Sequence, residues 1–171
     1  MSLLSPQMNK FLLMRSEVAI PSTLELKLLK GFYEHSDVIV FDFYKARLKY
    51  WDYEIIISRY GDLTGFEANT NRIHLDDYIN TENFTISEVI NIGFSLVQFI
   101  QNLWNHLRDD ECTIILSSDL KSEFGSNASI TFHKKRPNQI LVDCLDDCPQ
   151  AVFICNNSDS LQSISDALKI M

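Results

Sequence analysis

Glycine and proline are scarce, at 5 and 4 of 171 residues. So few glycines leave little material for a Gly-rich phosphate loop, and so few prolines exclude a Pro-rich linker. No apolar run approaches the roughly 18 residues that a membrane-spanning helix needs. The N-terminal stretches LL and FLLM are broken by Pro6, Asn9 and Lys10, and neither makes a signal-peptide core. These absences predict a cytoplasmic protein, in which the Asn-x-Ser/Thr triplets at Asn83, Asn127 and Asn156 carry no glycan. Positive charge is also short: 15 basic residues face 23 acidic ones, for a net charge of −8. An acidic surface repels phosphate, which argues against nucleic-acid and anionic-membrane binding.

What is present suits an ordinary soluble domain, with 46% hydrophobic and 22% charged residues. One domain over 1–171 is expected, large enough to bury a core without disulfides or metal. Met1–Ser16 is expected to lie outside that core, disordered or partly derived from a vector, with Met8 a second plausible start. Cys112 and Cys155 sit in the apolar runs CTIIL and AVFIC, where reduced cysteine behaves as a small hydrophobe.

The order of elements reads helix, strands, long helix, strands, helix. Pro21-Ser22-Thr23-Leu24-Glu25 opens a helix over about 22–35, with Ser22 and Glu25 spaced as a capping box. Val38–Tyr50 and Tyr53–Tyr60 read as two long strands around Trp51-Asp52, because both are rich in β-branched and aromatic residues. A bend is expected near Tyr44-Lys45, where the inward parity switches. Tyr44, Tyr50, Trp51, Tyr53 and Tyr60 would form cross-strand pairs there. Arg72–Ile79 reads as a third strand.

The clearest element is a helix over about 86–108. Thr85 and Glu88 form a capping box, and Phe84 and Val89 a hydrophobic staple. It carries two apolar stripes, and its polar stripe (Glu88, Asn91, Ser95, Gln98, Asn102, Asn105) is narrow. Such a helix is covered on two sides or gives one stripe to a partner. Short strands follow at Cys112–Leu116, Ala128–His133, Gln139–Asp143 and Ala151–Cys155, with Lys134–Asn138 as a solvated hairpin turn. A last helix is expected over Ser160–Ile170, capped by Asp159. The fold class is α+β: a mostly antiparallel sheet packed on a long central helix, with two shorter helices.

Two constellations bear on chemistry. Asp143-Cys144-Leu145-Asp146-Asp147-Cys148-Pro149 gathers two thiols and three carboxylates. It lacks the paired knuckles of a zinc site and the alternating acids of a calcium loop. It therefore reads as an exposed acidic loop or a docking surface for a basic partner, and no metal or other cofactor is expected. His74 and Asp76 would share one face of the third strand, a pairing able to serve general-base chemistry. No Gly-x-Ser-x-Gly elbow supplies a nucleophile.

In size, acidity and α+β pattern, with the Asp143–Asp147 segment, the chain resembles the small acidic immunity proteins of bacterial contact-dependent and polymorphic toxin systems. The resemblance implies a basic cognate partner, a toxin domain such as a nuclease, neutralised by carboxylates that pair with its Lys and Arg. Asp143, Asp146 and Asp147 are then the first expected contacts, and Asp76 and Asp77 the second. The alternatives are a small hydrolase or transferase using His74 and Asp76, and an adaptor that homodimerises through a stripe of the 86–108 helix.

Overall fold

A computed structural model describes residues 2–49, 51–120 and 126–170. A five-stranded, fully antiparallel sheet lies at its centre, in the order β1-β7-β5-β6-β4. The strands are β1 (Leu3–Leu4), β4 (Ile73–His74), β5 (Cys112–Ser118), β6 (Ser129–Lys134) and β7 (Ala151–Asn156). A separate hairpin joins β2 (Phe32–His35) to β3 (Val38–Phe41). The helices are α1 (Pro6–Leu13), α2 (Ser22–Leu28), α3 (Tyr53–Tyr60), α4 (Leu63–Thr70), α5 (Ile86–Leu107) and α6 (Leu161–Ile170). The architecture is α+β, as the sequence pattern implied.

The central helix α5 forms as expected. Thr85 Oγ1 accepts from the Glu88 N–H at 3.3 Å, and Glu88 Oε2 accepts from the Thr85 N–H at 2.7 Å. Each side chain thus satisfies a backbone donor that the first helical turn leaves free. Alternation along β5 sends Cys112, Ile114 and Leu116 towards α5. Gly93 lets the helix settle on this sheet, since a Cβ there would meet Leu116 Cδ1 at 2.5 Å. Both apolar stripes of α5 are buried or half-buried within the chain, apart from Leu107 at the end. The helix is thus covered on two sides by its own chain.

Several expectations needed correction. The segment 3–13 contributes to the core: β1 pairs with β7, and Met8, Phe11 and Leu12 of α1 are buried. Helix α2 stops at Leu28, without a side-chain cap from Ser22, and Gly31 turns the chain at φ +76°. Residues 32–41 then form a hairpin through Ser36-Asp37, both with positive φ as a type I′ turn requires. Neither residue is glycine, so the usual hairpin signal was missing.

The stretch read as Val38–Tyr50 leaves the sheet at Phe41 and continues as a 3₁₀ turn over Asp42–Leu48; Tyr50 lies outside the described residues. That exit explains the parity switch. Tyr53–Tyr60 is a helix, because Asp52 Oδ1 caps the Ile55 N–H at 3.1 Å and Gly61 closes the far end at φ +82°. Ile56 is buried while Tyr53 and Ile55 are exposed, a helical and not an alternating pattern. Trp51 and Tyr60 pack on Phe66 of α4 instead of across a strand pair. Gln139–Asp143 forms no strand beyond one isolated bridge between Arg136 and Gln139. Asp159 does not cap α6: its Oδ2 accepts from Asn156 N, and Ser160 Oγ accepts from Ser163 N.

Two side chains one turn apart on α4 and its end, Glu67 and Asn71, join the hairpin to the main sheet. Glu67 Oε1 accepts from Ile39 N at 2.7 Å, and Asn71 Oδ1 accepts from Phe41 N at 3.0 Å. On the other side Glu67 Oε2 accepts from Lys134 N, and Asn71 Nδ2 donates to the carbonyl of Phe132. They take the place of a strand between β3 and β6, so neither edge is left with buried unpaired amides.

Candidate functional site

The sheet has two faces. One carries α5; over the other, α4 covers β6 and the long segment 136–150 crosses β5 and β7. That segment holds no helix or strand. It is pinned by Leu145, which is buried against Val152 and Ile154 of β7, with Val142 and Cys148 beside it. The N–H of Cys148 closes a turn on the carbonyl of Leu145 at 3.1 Å. With Leu145 turned inward, Asp143, Asp146 and Asp147 are exposed. Ile140 and Leu141, just before them, are also exposed.

Asp76 and Asp77 occupy a 3₁₀ turn beyond β4, held by the N–H of Leu75 on the Ala128 carbonyl at 3.0 Å, and both are exposed. None of these five aspartates has a hydrogen bond or ion pair among the described residues. Most other surface acids near a base are engaged: Asp37 with Lys134, Asp110 with Arg108, Glu111 with Lys135 and Asp166 with Lys169. The Lys134 hydrogen bond holds the Asp37 carboxyl below its usual range. The two predicted segments therefore carry five exposed carboxylates with no internal partner among the described residues.

The structure places these segments apart in the sheet, one over β7 and one beyond the β4 edge. Gln150, Arg72 and His74 line one open polar cleft of about 280 Å³, and none of the five aspartates is among its lining residues. His74 is exposed there, and β4 ends at it. Asp76 thus lies in a turn and not on a common strand face, and no hydrogen bond joins the two. His74 is registered across β4 and β6 with Ser129, whose Oγ lies 3.0 Å from Ser117 Oγ. Among the described residues no three His, Cys, Asp or Glu side chains assemble as metal ligands. No described helix is long and apolar enough to cross a membrane.

The expected solvated turn at Lys134–Asn138 is corrected most sharply. Arg136 folds inward onto Glu67, which is fully buried. Arg136 Nη2 and Nη1 donate to the two Glu67 oxygens at 2.7 and 2.9 Å, and Nη2 also donates to the carbonyl of Asp37. Burial pushes the Glu67 carboxyl up, against the pull of Arg136 and two backbone N–H donors. All four contacts donate; a carboxylate has lone pairs for all four, whereas a protonated acid gives up one acceptor position to its own proton. Asp37, Lys134, Asp110 and Arg108 extend the pair into a chain of alternating charge ending at Glu34. Nothing local in a Lys-Lys-Arg-Pro-Asn run announces this; the partner acid is 69 residues away.

A second feature missed by sequence reasoning lies on the other side of the molecule. Gln98, Gln101, Asn102 and Asn105 of α5, together with Arg15, the 157–160 loop and the start of α6, line an amide-rich cleft of about 270 Å³. The signal was present as the narrow polar stripe, but its neighbours come from opposite ends of the chain.

A curated relative, "Uncharacterized protein PM0498" of Pasteurella multocida, is 25% identical over 95 residues. The alignment covers 54% of this chain and 56% of that protein, so it spans little more than half of the relative's length. No solved structure gives a significant match. One family model, described as "Uncharacterized protein PM0498 family", matches residues 3–166, from β1 into α6. By a match over nearly its whole length, the chain belongs to that family.

Proposed function

We propose that this chain is a protein-binding module that neutralises a basic cognate partner, a toxin domain such as a nuclease, in the manner of an immunity protein. The observation that carries this reading is the loop at 143–147. Its apolar residue is used as an anchor, while its three aspartates are exposed and unpaired among the described residues. Carboxylates held out on an anchored loop steer a cationic surface and pair with its Lys and Arg. Asp76 and Asp77 add a second negative patch. Ile140 and Leu141 offer apolar area beside the charge, as the centre of a protein interface does.

The test is retention on the immobilised chain at low salt, compared with D143N/D146N/D147N and with the further D76N/D77N changes. A cationic protein held near stoichiometrically, released by salt and lost with the charges, is the expected result. Equal retention by the neutralised variants, with no dependence on salt, overturns the reading.

A further inference from the structure

The polar stripe of α5 has two halves, and the first half is already occupied. The segment 15–21 runs beside it in neither helix nor strand. Asn91 Oδ1 accepts from the backbone N–H of Ser16 and Ser95 Oγ from that of Val18, both at 3.4 Å. Asn91 Nδ2 donates back to Ser16 Oγ at 3.1 Å. The chain thus uses this stripe to hold backbone. The spacing explains why: four helical residues rise about 6 Å, close to the roughly 6.6 Å between alternate residues of an extended chain.

The second half of the stripe is open. Gln101 is only 6% exposed, and its Nε2 donates to the carbonyls of Asn156 and Asp159 at 2.8 and 2.9 Å. These bonds fix the amide of a residue that lines the cleft, and no donor from the described residues reaches its Oε1. Gln98, about one turn before it, and Asn102, the next residue, are exposed, and their side chains make no hydrogen bond within the described chain. The side chain of Arg15, half-buried at the cleft, makes none either. Asn105 and Asn157 close the far end, with Asn157 Nδ2 donating to Asn105 Oδ1 at 2.7 Å.

We propose that this cleft binds an extended peptide segment of another protein by its backbone. Gln98 and Asn102 each offer a donor and an acceptor, the complement of a peptide group, while Arg15 donates to a carbonyl and Gln101 Oε1 accepts an N–H. From Gln98 to Asn105 the helix rises about 10 Å, the length of about three extended residues. No aromatic side chain lines the cleft for base stacking, and Arg15 and Asp159 balance each other, so phosphate finds no net positive charge. The proposal shares no residue with the acidic loop and stands apart from the reading above.

The probe is the capped tetrapeptide acetyl-(Ala)₄-amide, titrated into the full chain while the side-chain NH₂ signals of Asn and Gln are followed by NMR. Saturable shifts are expected at Gln98, Gln101 and Asn102. They should vanish with the backbone N-methylated peptide, and the Gln101 shift should vanish in Q98A/N102A, whose exposed positions leave the fold intact. The proposal is overturned by no saturation up to about 10 mM, by equal shifts with the N-methylated peptide, or by unchanged binding in Q98A/N102A. It is also overturned if glucose produces the same saturable shifts and the peptide does not.

Discussion

Glu67 and Arg136 show why a single residue can matter more here than the charge count suggests. Removing one member of a buried pair leaves the other charged and without its partner. E67Q keeps the shape, yet its amide must turn an N–H towards donors on Arg136, Ile39 or Lys134. A loss of about 3–5 kcal/mol is expected, read as a lower urea midpoint at unchanged slope. R136A should cost a similar amount, and E67Q/R136A less than the two together. Additive losses would show that the pair does not act as a unit. His133 supplies the pH-dependent counterpart. It is 4% exposed, its Nδ1 lies 3.0 Å from the Lys134 carbonyl oxygen, and burial, aided by the Arg136 charge, pushes its pKa below the usual value. The unfolded chain takes up this proton near pH 6.5 and the folded chain only lower, so the unfolded state binds more protons in between. Stability is therefore full above about pH 6.5 and falls as the pH drops through the lowered folded value. Thermal melts across that window should show the loss in the parent and not in H133Q; equal slopes would refute it.

The elements most legible in the sequence were those whose information is local. The Thr85–Glu88 box, the staple and the two apolar stripes define α5 without reference to the rest of the chain. The α3 segment misled because YEIIISRY has strand composition, while its cap at Asp52 and its stop at Gly61 decided otherwise. Ile56 was the warning, since an apolar residue on the polar face of a strand is on the correct face of a helix. The Ser36-Asp37 hairpin carried no glycine, and the Glu67–Asn71 bridge needed α4 placed between two sheets, which no window of sequence contains. Gly93 tests the packing of α5 directly. Alanine gains about 1 kcal/mol of helix propensity over glycine, but its methyl would enter the space of the fully buried Leu116. Overpacking of this kind costs about 1–3 kcal/mol, so G93A should be net destabilising by urea melt. A stabilised G93A would mean that Leu116 turns aside freely. T85A, by contrast, loses only a cap and should cost about 1 kcal/mol.

At the scale of the whole molecule, a net charge of −8 is a prediction about rates before it is one about affinity. The five predicted aspartates were legible because exposure follows from a charge-rich turn. Their division between two places was not, since only the strand order sets β5 and β6 between the loop over β7 and the turn beyond β4. Four bases, Arg108, Lys134, Lys135 and Arg136, are held within the chain by Glu34, Glu67, Asp37, Asp110 and Glu111. No Lys or Arg of the described residues pairs with Asp143, Asp146 or Asp147, so a cationic partner approaching the loop meets their field directly. Such a field acts within the screening length, about 10 Å at 0.1 M salt and about 3 Å at 1 M. For the captured partner, D143N/D146N/D147N should thus lower the association rate about tenfold at low salt and change the dissociation rate little. The two proteins should converge as salt rises. Stopped-flow or surface-based kinetics across a salt series reads both rates. A faster dissociation with unchanged association would instead place the three aspartates inside the contact, as paired charges desolvated by the partner, and would sink their role in steering.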